Sequence, residues 1–115
     1  MIAPGERVGA FYALGRTRAV LFGYGTYEGD FTPPEDIMAA AGPVAMLGIT
    51  LPRLKLDDGT VIWGCECWWG PEAEVKGMLS TVRQSTVRVE TLRRRLRARW
   101  DRACQELDQA EAQLP

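Results

Sequence analysis

Six arginines, Arg93, Arg94, Arg95, Arg97, Arg99 and Arg102, fall within ten residues of a 115-residue chain. Guanidinium groups at that density suit anions, because each can give two parallel hydrogen bonds to a phosphate or a carboxylate. Arg95, Arg99 and Arg102 follow the i, i+4, i+7 spacing of one helix side, while Arg93 and Arg97 line another, with Trp100 between the rows. The same rows also suit a solvated face whose long stems cover apolar surface. What sets the block apart is its place in the helix. Cations belong at a helix C-terminus, since the unpaired amides of the first turn already carry partial positive charge. Here the arginines lead, and Glu106, Asp108 and Glu111 follow. Two partners would offset that order. A second copy of the helix running antiparallel would bring Arg97 and Arg99 toward Glu106 and Glu111, and an anionic ligand would place its phosphates by the helix start. The two are compatible, since a ligand could lie at the seam between protomers.

A second cluster is aromatic. Residues 22–31, Phe-Gly-Tyr-Gly-Thr-Tyr-Glu-Gly-Asp-Phe, and residues 63–70, Trp-Gly-Cys-Glu-Cys-Trp-Trp-Gly, interleave rings and acids with glycines. Glycine inside a strand marks a bulge or a close approach to the backbone. Either a flat group such as a nucleobase makes that approach, or the glycines leave room for the chain's own rings to pack across strands. Trp68 and Trp69 are adjacent, so in an extended chain they face opposite ways and only one can enter a given core.

Other chemistry finds few side chains. The chain has no histidine and no asparagine, which removes the imidazole base, the imidazole ligand and the Ser-His or Cys-His pair. Glu28 and Asp30 would form a carboxylate pair two apart on a strand, but no nucleophile or base accompanies them. Neither phosphate-loop pattern is present. Cys65 and Cys67, two apart in a strand-like run, would offer two thiolates to a metal from one face, yet no third or fourth ligand is evident. They and Cys104 make an odd number without a disulfide framework, which suits a reducing compartment. The expectation is a binding protein rather than an enzyme, without cofactor or metal.

The elements that must position these groups divide the chain. Residues 1–70 are rich in glycine and proline, with short apolar runs at 7–14, 18–24, 25–31, 48–56 and 60–66 that end at turn signals, as strands of an antiparallel sheet do. Leu54 to Trp63 predicts a hairpin, with Asp58-Gly59 at its tight turn. Residues 32–43 predict a short inserted helix, opened by proline and acids and stopped by Gly-Pro. From Pro71 the pattern turns helical: one helix to Val82 with Val75, Met78, Leu79 and Val82 on one face, a sixth short strand over 84–90, and a long helix from Thr91, which can cap it, to Leu114. The apolar positions of that helix, Leu96, Trp100, Ala103, Leu107, Ala110 and Leu114, are spaced 4, 3, 4, 3, 4, a heptad seam. The fold class is therefore α+β in one domain: about five to six strands, mainly β to residue 70, then helices, the last suited to oligomerisation.

Net charge is −1, with 14 basic and 15 acidic residues, so no whole-protein field attracts nucleic acid or a membrane. The positive charge is local: Arg83 to Arg102 holds eight arginines against Glu90 and Asp101. No run approaches the roughly 20 apolar residues that cross a bilayer, and the first residues lack a signal-peptide pattern. A cytoplasmic protein is expected.

Residues 21–30, Leu-Phe-Gly-Tyr-Gly-Thr-Tyr-Glu-Gly-Asp, with Pro33-Pro34 after them, and residues 56–70, Leu-Asp-Asp-Gly-Thr-Val-Ile-Trp-Gly-Cys-Glu-Cys-Trp-Trp-Gly, resemble two signature stretches of small phage-type proteins. The layout of about six antiparallel strands followed by two helices resembles the phage Thoeris anti-defence sponges. The resemblance implies uncatalysed sequestration of a cyclic nucleotide second messenger, of the cyclic ADP-ribose type or a cyclic oligonucleotide, in pockets between protomers of a homodimer or higher oligomer in the host cytoplasm. By that analogy Arg95 and Arg99 hold phosphates and Trp68 or Trp69 stacks the base. The candidate ligand-binding set is Tyr24, Tyr27, Trp68, Trp69, Arg88, Arg95 and Arg99. The alternative is an inhibitor that docks on a host protein through the arginine-rich helix. Nucleic acid and membrane are not expected partners.

Overall fold

The computed structural model describes residues 2–34, Ile37, Gly48 and 50–114. Six strands, β1 (Arg7–Leu14), β2 (Arg18–Phe31), β3 (Leu51–Leu56), β4 (Val61–Trp63), β5 (Trp68–Pro71) and β6 (Arg83–Thr86), form one sheet with two helices, α1 (Glu72–Leu79) and α2 (Val89–Ala112). The spatial order is β4-β3-β2-β1-β5 with antiparallel neighbours, and β6 pairs parallel with the start of β2. The architecture is the expected α+β, with the long helix last. Apart from residues 32–34 and Ile37, the segment of the expected inserted helix lies outside the described residues.

Local signals account for the hairpin and the helices. At the β3–β4 turn Gly59 has φ 91°, Leu56 N–H donates to Thr60 O at 2.8 Å, and the Asp58 carboxylate accepts from Thr60 N–H at 2.8 Å. α1 begins after Pro71 with Glu72 and Glu74 in its first turn and Lys76 in its last, the order the helix dipole favours. α2 follows that order only in part, with Glu90 in its first turn. Arg88 occupies its N-cap with no side-chain cap bond, and no basic residue lies in its last turn. Thr91 lies inside the first turn rather than capping it, so the helix starts two residues earlier than the sequence pattern indicates.

Three strand expectations are corrected, the first being that the sixth strand spans Arg83–Thr86 rather than 84–90, because Val89 and Glu90 already belong to α2. Residues 18–24 and 25–31 form one continuous 14-residue strand, β2. The glycines that suggest a break serve close packing instead: a Cβ on Gly25 would run into the Lys55 carbonyl and come within 2.6 Å of the Leu56 Cα. The strand ends at Trp63, so Cys65 and Cys67 lie in the turns that follow, and Trp68–Pro71 forms an additional short strand against β1.

β2 changes partners along its length, which shapes the site. The β1–β2 register slips twice, leaving Phe22 and Tyr12 as extra residues on opposite strands, and their rings meet edge to face at 6.2 Å. One edge of β2 thus receives β6 at Arg18–Leu21 and β3 at Gly25–Phe31. Successive residues feed two cores, as strand alternation requires. Phe11, Ala19 and Leu21 pack with Val75 and Leu79 of α1, while Val8, Ala10, Phe22, Leu54, Leu56 and Ile62 pack with Val89 and Leu92 of α2.

Only Val89 and Leu92 of α2 are buried. From Arg94 onward every described residue is exposed, so the helix leaves the body as an arm. The radius of gyration is 16.6 Å and the extents are 57 × 35 × 22 Å, elongated beside the radius of about 13 Å typical of a compact 100-residue domain. No described helix is long and apolar enough to cross a membrane.

Candidate functional site

The arginine block divides by role. Arg93 is structural: Nε donates to Glu66 Oε2 at 2.7 Å, and Nη2 donates to Glu66 Oε1 at 2.8 Å and to the Val61 carbonyl at 2.9 Å. Glu66 also accepts from Trp63 N–H at 3.0 Å. This clasp fixes the angle at which α2 departs, and with it the positions of the later arginines.

Arg94, Arg95, Arg97, Arg99 and Arg102 are exposed and make no ion pair with any described residue. At 100° per residue Arg95, Arg99 and Arg102 share one side of α2, and Arg88 at the N-cap falls in line with them. Three of the expected site residues, Arg88, Arg95 and Arg99, therefore form one row.

At its inner end the row meets a cavity of about 430 Å³ lined by Phe22, Leu56, Asp58, Thr60, Thr86, Val87, Arg88, Val89 and Glu90. Such a volume falls in the range typical of small-molecule sites. The cavity exists because the β2 edge changes partners there: Val87 N–H donates to Leu21 O at 3.0 Å, and Asp57 N–H donates to Tyr24 O at 2.9 Å. Between those bonds the edge is open. Its lining combines apolar side chains with two threonine hydroxyls, two carboxylates and one guanidinium. The hydrogen bonds from Thr60, and Arg88 nearby, hold the Asp58 carboxyl below its usual range, so it stays an acceptor.

The aromatic candidates go elsewhere. Tyr27 and Trp69 stack on each other, centroids 5.4 Å apart and planes 21° apart. The Tyr27 hydroxyl donates to Asp30 Oδ1 at 2.7 Å, which pushes the phenol above its ordinary pKa. Tyr27 is buried in the α2-side core and Trp69, partly buried, packs against it, so the two rings are not open to sandwich a base between them. Trp68 is the exposed member of the adjacent pair, at 69%, opposite Phe11 on β1. Tyr24 lies by the α1-side core, its ring against Gly9, where a Cβ would come within 2.8 Å, and beneath the Lys76 ammonium at 5.0 Å. The seven candidates thus split into the arginine row, a stacked ring pair and two residues on the α1 side.

Glu28 and Asp30 do not work as a pair. Glu28 accepts from Arg53 Nε at 3.1 Å, and Asp30 is taken by Tyr27. The Arg53 guanidinium lies 3.7 Å from the Phe31 ring centroid. Cys65 is exposed, whereas Cys67 donates its thiol to the Trp63 carbonyl at 3.6 Å and is pushed by burial up to about 12, so it holds its proton at neutral pH. Among the described residues no group of three or more potential ligands could hold a metal ion.

Sequence reasoning missed Phe22, Thr60 and Thr86 as cavity lining. The only available signal was the Ser85-Thr86-Val87 alternation that marks β6, and nothing local says that β6 pairs with β2. Comparisons with protein-family models, curated proteins and solved structures find no match for this chain.

Proposed function

We propose that this protein is a non-catalytic binder that sequesters a cyclic nucleotide second messenger, of the cyclic ADP-ribose or cyclic oligonucleotide class, in the manner of a phage anti-defence sponge. The observation that carries this reading is the row Arg88, Arg95 and Arg99, which leads outward from a cavity of nucleotide size, with Arg95 and Arg99 exposed and in no ion pair with any described residue. The chemistry divides along the row. Phosphates suit the exposed guanidinium groups. The cavity suits the uncharged end of a nucleotide, since Asp58, Glu90, Thr60 and Thr86 can accept from ribose hydroxyls and base amino groups, while two carboxylates there disfavour a phosphate.

Isothermal titration of the full chain with cyclic ADP-ribose variants and cyclic di- and trinucleotides tests the reading. Saturable heat with at least one ligand, recovered chemically unchanged, is expected. The Arg95→Ala, Arg99→Ala double variant should weaken binding at least tenfold, and absence of heat with every ligand overturns the proposal. The second reading, docking on a host protein through α2, has the exposed apolar positions of the arm in its favour. It predicts stoichiometric capture of one host protein that persists in the absence of nucleotide.

A further inference from the structure

The apolar stripe of α2 continues past the body. Val89 and Leu92 are buried against the sheet, but Leu96, Trp100, Leu107 and Leu114 along the same side remain 39%, 59%, 61% and 71% exposed. A stripe of this width and heptad spacing is what a coiled-coil partner covers. We propose that residues 96–114 pair antiparallel with the same residues of a second copy, making a two-fold dimer through the arm. The pairing stands apart from the nucleotide reading and needs no ligand.

Charge selects a second copy, and it selects the antiparallel direction. Residues 93–102 hold six arginines and one acid, whereas residues 103–114 hold Glu106, Asp108 and Glu111 and no base. An antiparallel pair lays the basic half of each arm along the acidic half of the other, and a parallel pair would stack arginine on arginine. The antiparallel order also sets each arginine-rich half beside the negative end of the neighbouring helix dipole, removing the mismatch that α2 carries alone.

Side-chain size selects the register. Because Val89 and Leu92 are already engaged, the free stripe begins at Leu96, and centring it on itself sets Leu96 against Leu114 of the second copy. Trp100 then meets Ala110, and Ala103 meets Leu107, so the inner layers set a large side chain against a small one, and a leucine pair closes each end. On one flank Arg97 meets Glu111, and Cys104 meets its own counterpart at the two-fold axis. On the other flank Glu106 meets Glu106, each with Arg102 one turn away on its own helix.

Sedimentation equilibrium of the full chain in nucleotide-free buffer should give twice the chain mass at micromolar concentration. Trp100→Glu should give monomer with unchanged helix content, since the ring lies outside both cores. Arg97→Glu and Glu111→Arg should each raise the dissociation constant roughly tenfold, and combining them should restore it, because only the antiparallel register joins these positions. A short bismaleimide should link Cys104 to Cys104, identified by peptide mass spectrometry. A wild-type chain that stays monomeric at high micromolar concentration overturns the proposal, as does a charge swap that fails to rescue.

Discussion

Arg93 clasps the Glu66 carboxylate with two nitrogens, at 2.7 and 2.8 Å, and so ties the second turn of α2 to the turn between β4 and β5. The Glu66 side chain is only 8% exposed and Arg93 28%, so the pair is largely withdrawn from water. Removing one charge would leave the other part-buried without its main partner, which is costlier than losing a surface ion pair. Glu66→Gln should therefore cost about 2–3 kcal/mol in urea unfolding. Glu111→Gln on the exposed arm should change monomer stability by less than about 0.5 kcal/mol when measured in the monomeric Trp100→Glu background.

Arg7 joins three elements. It bonds Asp57 at 2.6 and 2.7 Å, in the β3–β4 turn, and Glu72 at 3.1 Å, in the first turn of α1. Its guanidinium holds both carboxyls below their ordinary values of 3.8 and 4.5. Groups whose folded pKa is depressed contribute stability above the unfolded pKa and lose it as pH falls through the folded value. The melting-temperature gap between wild type and Arg7→Gln should thus be full at neutral pH and close as pH falls below the ordinary carboxylate range. Arg7 and Asp57 are exposed and Glu72 partly so, and added salt should therefore narrow the gap as well.

Gly25 has no room for a side chain, because the β3 backbone at Lys55 and Leu56 crosses directly over it. Gly25→Ala should cost about 2–3 kcal/mol through strand displacement. Gly70→Ala, whose Cβ would meet Val75 at 3.9 Å in ordinary contact, should stay within about 1 kcal/mol of wild type. Thermal melts of the two variants separate steric exclusion from a general dislike of alanine in strands.

The adjacent tryptophans should differ sharply. Trp69 stacks on Tyr27 beside the core, so Trp69→Ala should cost about 3 kcal/mol, whereas Trp68→Ala should cost less than about 1 kcal/mol. Tyr27→Phe loses only the bond to Asp30 and should cost about 1 kcal/mol. Titration of Tyr27→Phe with a bound nucleotide should give wild-type affinity, since that ring is engaged by the protein's own packing.

Local chemistry made parts of this structure legible in advance. Asp58-Gly59 marks its hairpin because the positive φ is a property of the turn alone. α1 and α2 lie close to the expected 71–82 and 91–114 because period and proline act within a few residues. The arginine row follows from helix geometry once the helix is placed, as does the apolar stripe beside it.

The sequence by itself therefore determined the fold class, the hairpin, the two C-terminal helices and which side chains share a face of α2. Only the tertiary structure decided that residues 18–31 run as one strand, that Trp68–Pro71 pairs with β1, that Arg93 serves the fold, and that Tyr27 and Trp69 pack on each other. It also created the cavity, by setting β6 and β3 in succession on one edge of β2. The physical reason is range. Capping, turn and period preferences act over a few residues and are written locally, whereas strand partners, bulges and ring contacts depend on residues dozens of positions apart, brought together when two cores close on one sheet.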